Sequence, residues 1–87
     1  NRLELKLDKD SYQPGETATV LIQSPYPEAE LYLAVIRHDT LYRTIIPVQG
    51  GAPQIQFQVT PDMLPNAAVE AVLVRQGTPI SQIEPGS

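Results

Sequence analysis

"LDKDSYQPGETATV", residues 7–20, joins two strand-like runs and decides how the chain reverses between them. Before it, Leu3, Leu5 and Leu7 alternate with Glu4 and Lys6. After it, Ala18, Val20 and Ile22 alternate with Thr17, Thr19, Leu21 and Gln23. A large aromatic, Tyr12, stands two residues before Pro14-Gly15. Pro14 presets φ, and Gly15 supplies the positive φ that a type II turn needs. The Tyr12 ring can cover one end of a core while its hydroxyl reaches a backbone partner. The stretch therefore predicts an anchored corner with Tyr12 buried beneath it.

The period of two continues outward. Leu31, Leu33 and Val35 alternate with Tyr32, Ala34 and Ile36; Ile55, Phe57 and Val59 alternate with Gln54, Gln56 and Gln58. Such alternation marks strands with one face buried. Leu41 to Val48 and Ala67 to Arg75 are β-rich but alternate less cleanly, which suits strands covered on both faces or touching a neighbouring domain. Pro14-Gly15, Pro25 with Pro27, His38-Asp39, Gly50-Gly51, Pro61-Asp62 and Pro65-Asn66 punctuate the runs. Pro47 has no N–H to donate and fits an edge or a strand end. Asp62-Met63-Leu64 is the one helical hint. The pattern predicts an all-β fold, an antiparallel two-sheet β-sandwich, with strands near 2–7, 17–23, 30–37, 41–48, 54–59 and 67–75. Residues 1–76 form the domain. Residues 77–87 are a weak last strand at Ile80 to Ile83, or a linker.

Composition narrows the function. With 87 residues the chain makes one domain with a modest core. It has no Cys, so neither a disulfide nor a thiolate metal site can staple it. Net charge is −4, and Arg2, Lys6, Lys9, Arg37, Arg43 and Arg75 are scattered, which argues against nucleic-acid binding. No apolar run approaches the roughly 18 residues of a spanning helix, so no direct membrane insertion is expected. The opening "NRLELKL" lacks a charged-then-apolar leader. Its abrupt entry into a strand predicts a piece excised from a longer chain.

Few residues of the chain form chemistry-bearing constellations. His38 beside Asp39 looks like a dyad, but neighbours along a strand point to opposite faces and no nucleophile accompanies them. A turn is the stronger reading. Asp8, Asp10 and Glu16 lack the spacing of a calcium loop, and Lys9 sits among them, so a solvated turn with carboxylates facing water is expected. Glu28 and Glu30 fall well short of a paired-carboxylate hydrolase. No phosphate loop, zinc spacing or Ser-His-Asp pattern occurs. No catalytic residue, metal or cofactor is expected, and the chain does not read as an enzyme.

"DKDSYQPGETATVLIQSP", residues 8–25, closely resembles the Asp-Lys-x-x-Tyr-x-Pro-Gly start of macroglobulin domains in the alpha-2-macroglobulin family, with Lys9, Tyr12, Pro14 and Gly15 at the matching places. "SPYPEAELYLAVIR", residues 24–37, resembles the family's Ser-Pro-aromatic loop and following strand, and includes Pro25. "LPNAAVEAVLVRQG", residues 64–77, resembles its Pro-Asn-x-x-Val segment through Pro65 and Asn66. Together the three most resemble the domain that carries the bait region in bacterial-type members. The resemblance implies a fibronectin-III- or immunoglobulin-like sandwich of about seven strands. It also implies one non-catalytic module of a long extracellular or periplasmic protein, which offers a bait to target proteases and closes around them once cut. Its partners would then be neighbouring domains of the same chain, and proteases only through the whole protein. Many members use a thioester from Cys-x-Glu-Gln, which this Cys-free stretch does not contain.

In that family the bait is inserted late in its domain. Here thirteen residues follow Val74. Either the insertion is absent and Ile80 to Ile83 belongs to the last strand, or residues from Gly77 begin the bait segment. A plain macroglobulin domain is the sub-alternative. A generic adhesive or spacer module of a bacterial surface or secreted protein competes with the inhibitor reading. A carbohydrate-binding module is weaker, because Trp is absent and Tyr26, Tyr32 and Tyr42 form no evident platform.

Overall fold

The computed structural model describes residues 2–75 and 78–85, with side chains through Arg75. Seven strands follow in order: β1 (Glu4–Leu7), β2 (Thr17–Gln23), β3 (Glu28–Ile36), β4 (Thr40–Gln49), β5 (Gln54–Gln58), β6 (Ala68–Arg75) and β7 (Thr78–Pro85). A single 3-10 turn, Pro61–Met63, separates β5 from β6 at the place of the helical hint. Every pairing is antiparallel. One sheet has the order β1-β2-β5 and the other β4-β3-β6-β7, so the expected two-sheet sandwich forms. After Arg75, Thr78–Pro85 pairs with β6 along its length as β7. Gly77, Gly86 and Ser87, which fall in the expected 77–87 segment, lie outside the described residues, as do Asn1 and Gln76.

The core joins inward positions that alternation marked in β1, β2, β3 and β5 to further residues of β4 and β6 and to Tyr12, Val59 and Met63. Leu3, Leu5, Ala18, Val20, Ile22, Ile55 and Phe57 come from the three-stranded side. Leu31, Leu33, Val35, Val48, Val69, Ala71 and Leu73 come from the four-stranded side. No polar or charged residue is buried among the described residues, so apolar burial carries the sandwich without desolvating a charge.

β4 explains its own blurred pattern. Val35 faces Tyr42 and Ile36 faces Thr40, so the register slips and Leu41 is the extra residue of a bulge. Leu41 and Tyr42 consequently both pack against the core although they are consecutive. β4 is also an edge strand, where Pro47 leaves no interior ladder bond unmade.

Candidate functional site

The corner is built from its backbone outward. Glu16 N–H donates to the Gln13 carbonyl at 3.1 Å, closing a turn over Pro14 and Gly15, whose φ is +92°. Gly15 N–H donates to the Val59 carbonyl and Val59 N–H to the Glu16 carbonyl, each at 2.8 Å. The turn is thereby stitched to the end of β5 as well as to its own strands.

Side chains then lock it. Tyr12 is buried, 9% exposed, and its hydroxyl is the hub of the corner. Tyr12 Oη donates to Asp8 Oδ1 at 2.5 Å and accepts from Lys9 N–H at 3.0 Å. The same Asp8 oxygen accepts from Thr19 N–H at 3.0 Å. Lys9 Nζ lies 5.7 Å from the Tyr12 ring centroid and donates to Glu16 Oε2 at 3.0 Å. Glu16 Oε1 accepts from Gln13 N–H at 2.7 Å. The Tyr12 hydroxyl, and next the Thr19 amide, hold the Asp8 carboxyl below the usual carboxylate range. The Gln13 amide and then Lys9 do the same for Glu16. Burial, followed by the hydrogen bond to Asp8, pushes the Tyr12 phenol up.

The carboxylates lie in a solvent-facing turn, as the sequence predicts, and Asp8 and Glu16 also accept hydrogen bonds from within the corner. Alternation cannot show this, because a loop carboxylate's reach depends on turn geometry. The partner of Tyr12 is likewise twofold, the Lys9 amide and the Asp8 carboxylate, where one backbone partner was expected.

Lys9, Tyr12, Pro14 and Gly15 thus come together at one end of the sandwich. Pro65 and Asn66 stand at that end too: their neighbours Leu64 and Ala67 line a small apolar cavity of about 30 Å³ with Tyr12 and Met63. Pro25 lies at the opposite end. There Ser24 Oγ accepts from Tyr26 N–H at 3.0 Å and donates to the Tyr26 carbonyl at 2.6 Å. Arg75 stacks on the Tyr26 ring with its guanidinium carbon 4.5 Å from the centroid. This contact was not anticipated; a Ser-Pro-Tyr loop gives no sign of which cation will cover its ring. His38 and Asp39 occupy the exposed β3–β4 turn, where Arg37 N–H donates to the Asp39 carbonyl. Among the described residues, no three His, Cys, Asp or Glu side chains gather in a way that could hold a metal ion. The arrangement is one of anchorage, an aromatic hub at one end and a covered aromatic at the other.

Residues 3–85 match the family model of the alpha-2-macroglobulin bait region domain. The chain belongs to that family. It is 71% identical over 85 residues to an alpha-2-macroglobulin homolog of Nostoc sp., which covers 98% of this chain. The chain spans only 4% of the length of that relative. In fold it is similar to Spo0M, a sporulation control protein from Bacillus subtilis, with a TM-score of 0.60 at 20% identity over 98% of this chain and 47% of that one. That likeness concerns the sandwich alone. In this bait region domain, Lys9, Tyr12, Pro14 and Gly15 lie at the first strand reversal, and the Tyr26 loop lies at the other end.

Proposed function

We propose that this domain is a non-catalytic module of a secreted or periplasmic protease-trapping inhibitor, packing on neighbouring modules and tethering a bait segment that target proteases cut. The family match across residues 3–85 carries this reading. The geometry supports a mechanical part. A tether must keep its shape while a connected segment is cleaved. Here the Gly15–Val59 and Glu16–Val59 bonds join the β1–β2 corner to the end of β5, tying the strands of that sheet together there. The reading needs no catalytic residue and no cofactor in this chain. Its site residues, Lys9, Tyr12, Pro14, Gly15, Pro25, Pro65 and Asn66, are structural.

The test uses the full-length protein that contains this chain, mixed in excess with a broad-specificity protease. Enclosure predicts loss of activity on a large protein substrate with activity on a short peptide substrate retained. The 87-residue chain alone should change neither, because one small sandwich has too little surface to enclose an enzyme. Unchanged activity on both substrates with the full-length protein would defeat the proposal. So would inhibition by the isolated domain.

A further inference from the structure

The two outer faces of the sandwich differ in kind. On the three-stranded sheet, outer positions face one another as Thr19 with Gln56 and as Lys6, Leu21 and Gln54 in a row, a polar surface with one leucine. On the four-stranded sheet, Tyr32 lies opposite Ile45 on one side and Val72 on the other. Tyr32 is 39% exposed and Ile45 57%. Next along, Ala34 lies between Arg43 and Glu70, one charge of each sign. Isoleucine on the solvent side of an edge strand adds nothing to the core and invites association.

We infer that this outer face of β4, β3 and β6 is the surface on which a neighbouring domain of the same long chain docks. The inference rests on the module reading proposed above and adds the face and the partner's chemistry. Size favours a tethered partner over a second copy. Three strands of about eight residues present roughly 15 by 25 Å. Counting both sides, that buries about 750 Å², within the roughly 600–1,500 Å² of domain contacts inside one chain. It falls short of the ~1,200–2,000 Å² usual for stable association of separate proteins. A covalent tether supplies millimolar effective concentration and closes that gap. The relative at 71% identity has abundant further chain to supply such a neighbour, since this stretch is 4% of it. The partner surface carries an apolar centre to cover Tyr32, Ile45 and Val72, with an acidic group set against Arg43 and a basic one against Glu70.

The test places single cysteines in the full-length protein and reads maleimide labelling of each site peptide by mass spectrometry. Ile45→Cys probes the face and Gln56→Cys the polar face opposite. Both side chains are exposed in the isolated domain, so neither substitution touches the core. Docking predicts that Ile45→Cys labels at least about tenfold more slowly than Gln56→Cys, as protection by a packed contact does. Tyr32→Cys, exposed on the same face, reads it if Ile45→Cys misfolds. Equal, fast labelling at both faces overturns the inference while leaving the module reading intact. Slow labelling at Ile45→Cys that becomes fast on dilution, with a fall from dimer to monomer mass, overturns it in favour of a second copy. A gene that encodes no chain beyond this domain overturns both.

Discussion

The two ends of the sandwich solve one problem with the same backbone and different side chains. Each has a glycine at positive φ, Gly15 at +92° and Gly50 at +95°. Each ties a loop across the structure with short amide bonds: Gly15 to Val59 and Val59 to Glu16 at one end, Gly50 to Pro27 and Ser24 to Gly51 at the other. The difference lies in the anchor. At the first end Tyr12 is buried, and its hydroxyl gathers an amide and a carboxylate. At the second, Tyr26 is half-buried with its ring under Arg75, and Ser24 closes the loop through neutral groups. A buried aromatic contributes through the surface it removes from water, an exposed cation laid on a half-buried ring mainly through local electrostatics. The first end should therefore carry far more of the stability than the second.

Tyr12→Ala should show the largest effect. Truncating a buried aromatic opens a cavity and removes packing, so a loss of about 3 kcal/mol or more is expected in urea denaturation. The small cavity already beside Tyr12 would enlarge rather than collapse, because Val35, Phe57 and Val69 on its walls are held by strands. A loss under about 0.5 kcal/mol, the range of surface substitutions, would show that the corner does not depend on its ring. The glycines test the shared part. A Cβ on Gly15 or on Gly50 meets no atom within 4 Å, so only backbone strain is added. Gly15→Val and Gly50→Val should each cost about 1–2 kcal/mol, and cost alike. A large difference between them would mean that the turns, and not the side-chain anchors, distinguish the two ends. At the second end, Arg75→Ala should cost only about 0.5–1 kcal/mol, the worth of an exposed cation–π pair.

How much of this could be read from the chain follows from what each interaction depends on. β2 begins at Thr17 and ends at Gln23 as alternation indicates, because its inward side chains are all apolar and its outward ones nearly all polar. β4 resists such reading. Its bulge makes Leu41 and Tyr42 face the core in succession, and nothing in "TLYRTIIPVQ" marks which residue is extra. The weak alternation of β6 has a different source. Val72 and Val74 are half-covered on the outer face while Val69, Ala71 and Leu73 fill the inner one, so hydrophobicity appears at both periods. At the corner, Tyr12, Pro14 and Gly15 act through local backbone geometry and burial, which residue type reveals. Asp8 acts through a contact set by how the loop folds over Thr19, which residue type does not. The Tyr26–Arg75 stack joins residues nearly fifty positions apart and was invisible for the same reason.

The two ends should also differ in how their stability responds to pH. Asp8 and Glu16 both have folded-state carboxyls held below their ordinary values, by the Tyr12 hydroxyl and Thr19 amide in one case and the Gln13 amide and Lys9 in the other. A depressed carboxyl binds its proton more weakly when folded, so its stabilisation is complete above the unfolded pKa and is lost as pH falls through the folded one. Stability should hold near neutrality and decline below about pH 4. Tyr12 gives the opposite sign at the other extreme. Its raised phenol favours the neutral form in the fold, so stability is lost as pH climbs past about 10. Both carboxylates are exposed, so the acid effect is small and salt weakens the Lys9–Glu16 part of it. Asp8→Asn should lower stability at neutral pH and flatten the acid decline, since an amide oxygen accepts from Tyr12 and Thr19 more weakly and takes up no proton. Arg75→Ala should lower stability slightly and leave the acid decline as steep as before, because the contacts at that end run through neutral groups and a cation. Urea midpoints measured from pH 7 to pH 3 for the three proteins distinguish these outcomes. If Asp8→Asn keeps the full acid slope while Arg75→Ala loses it, the charge-dependent anchor is at the Tyr26 end and the assignment of the two ends is reversed.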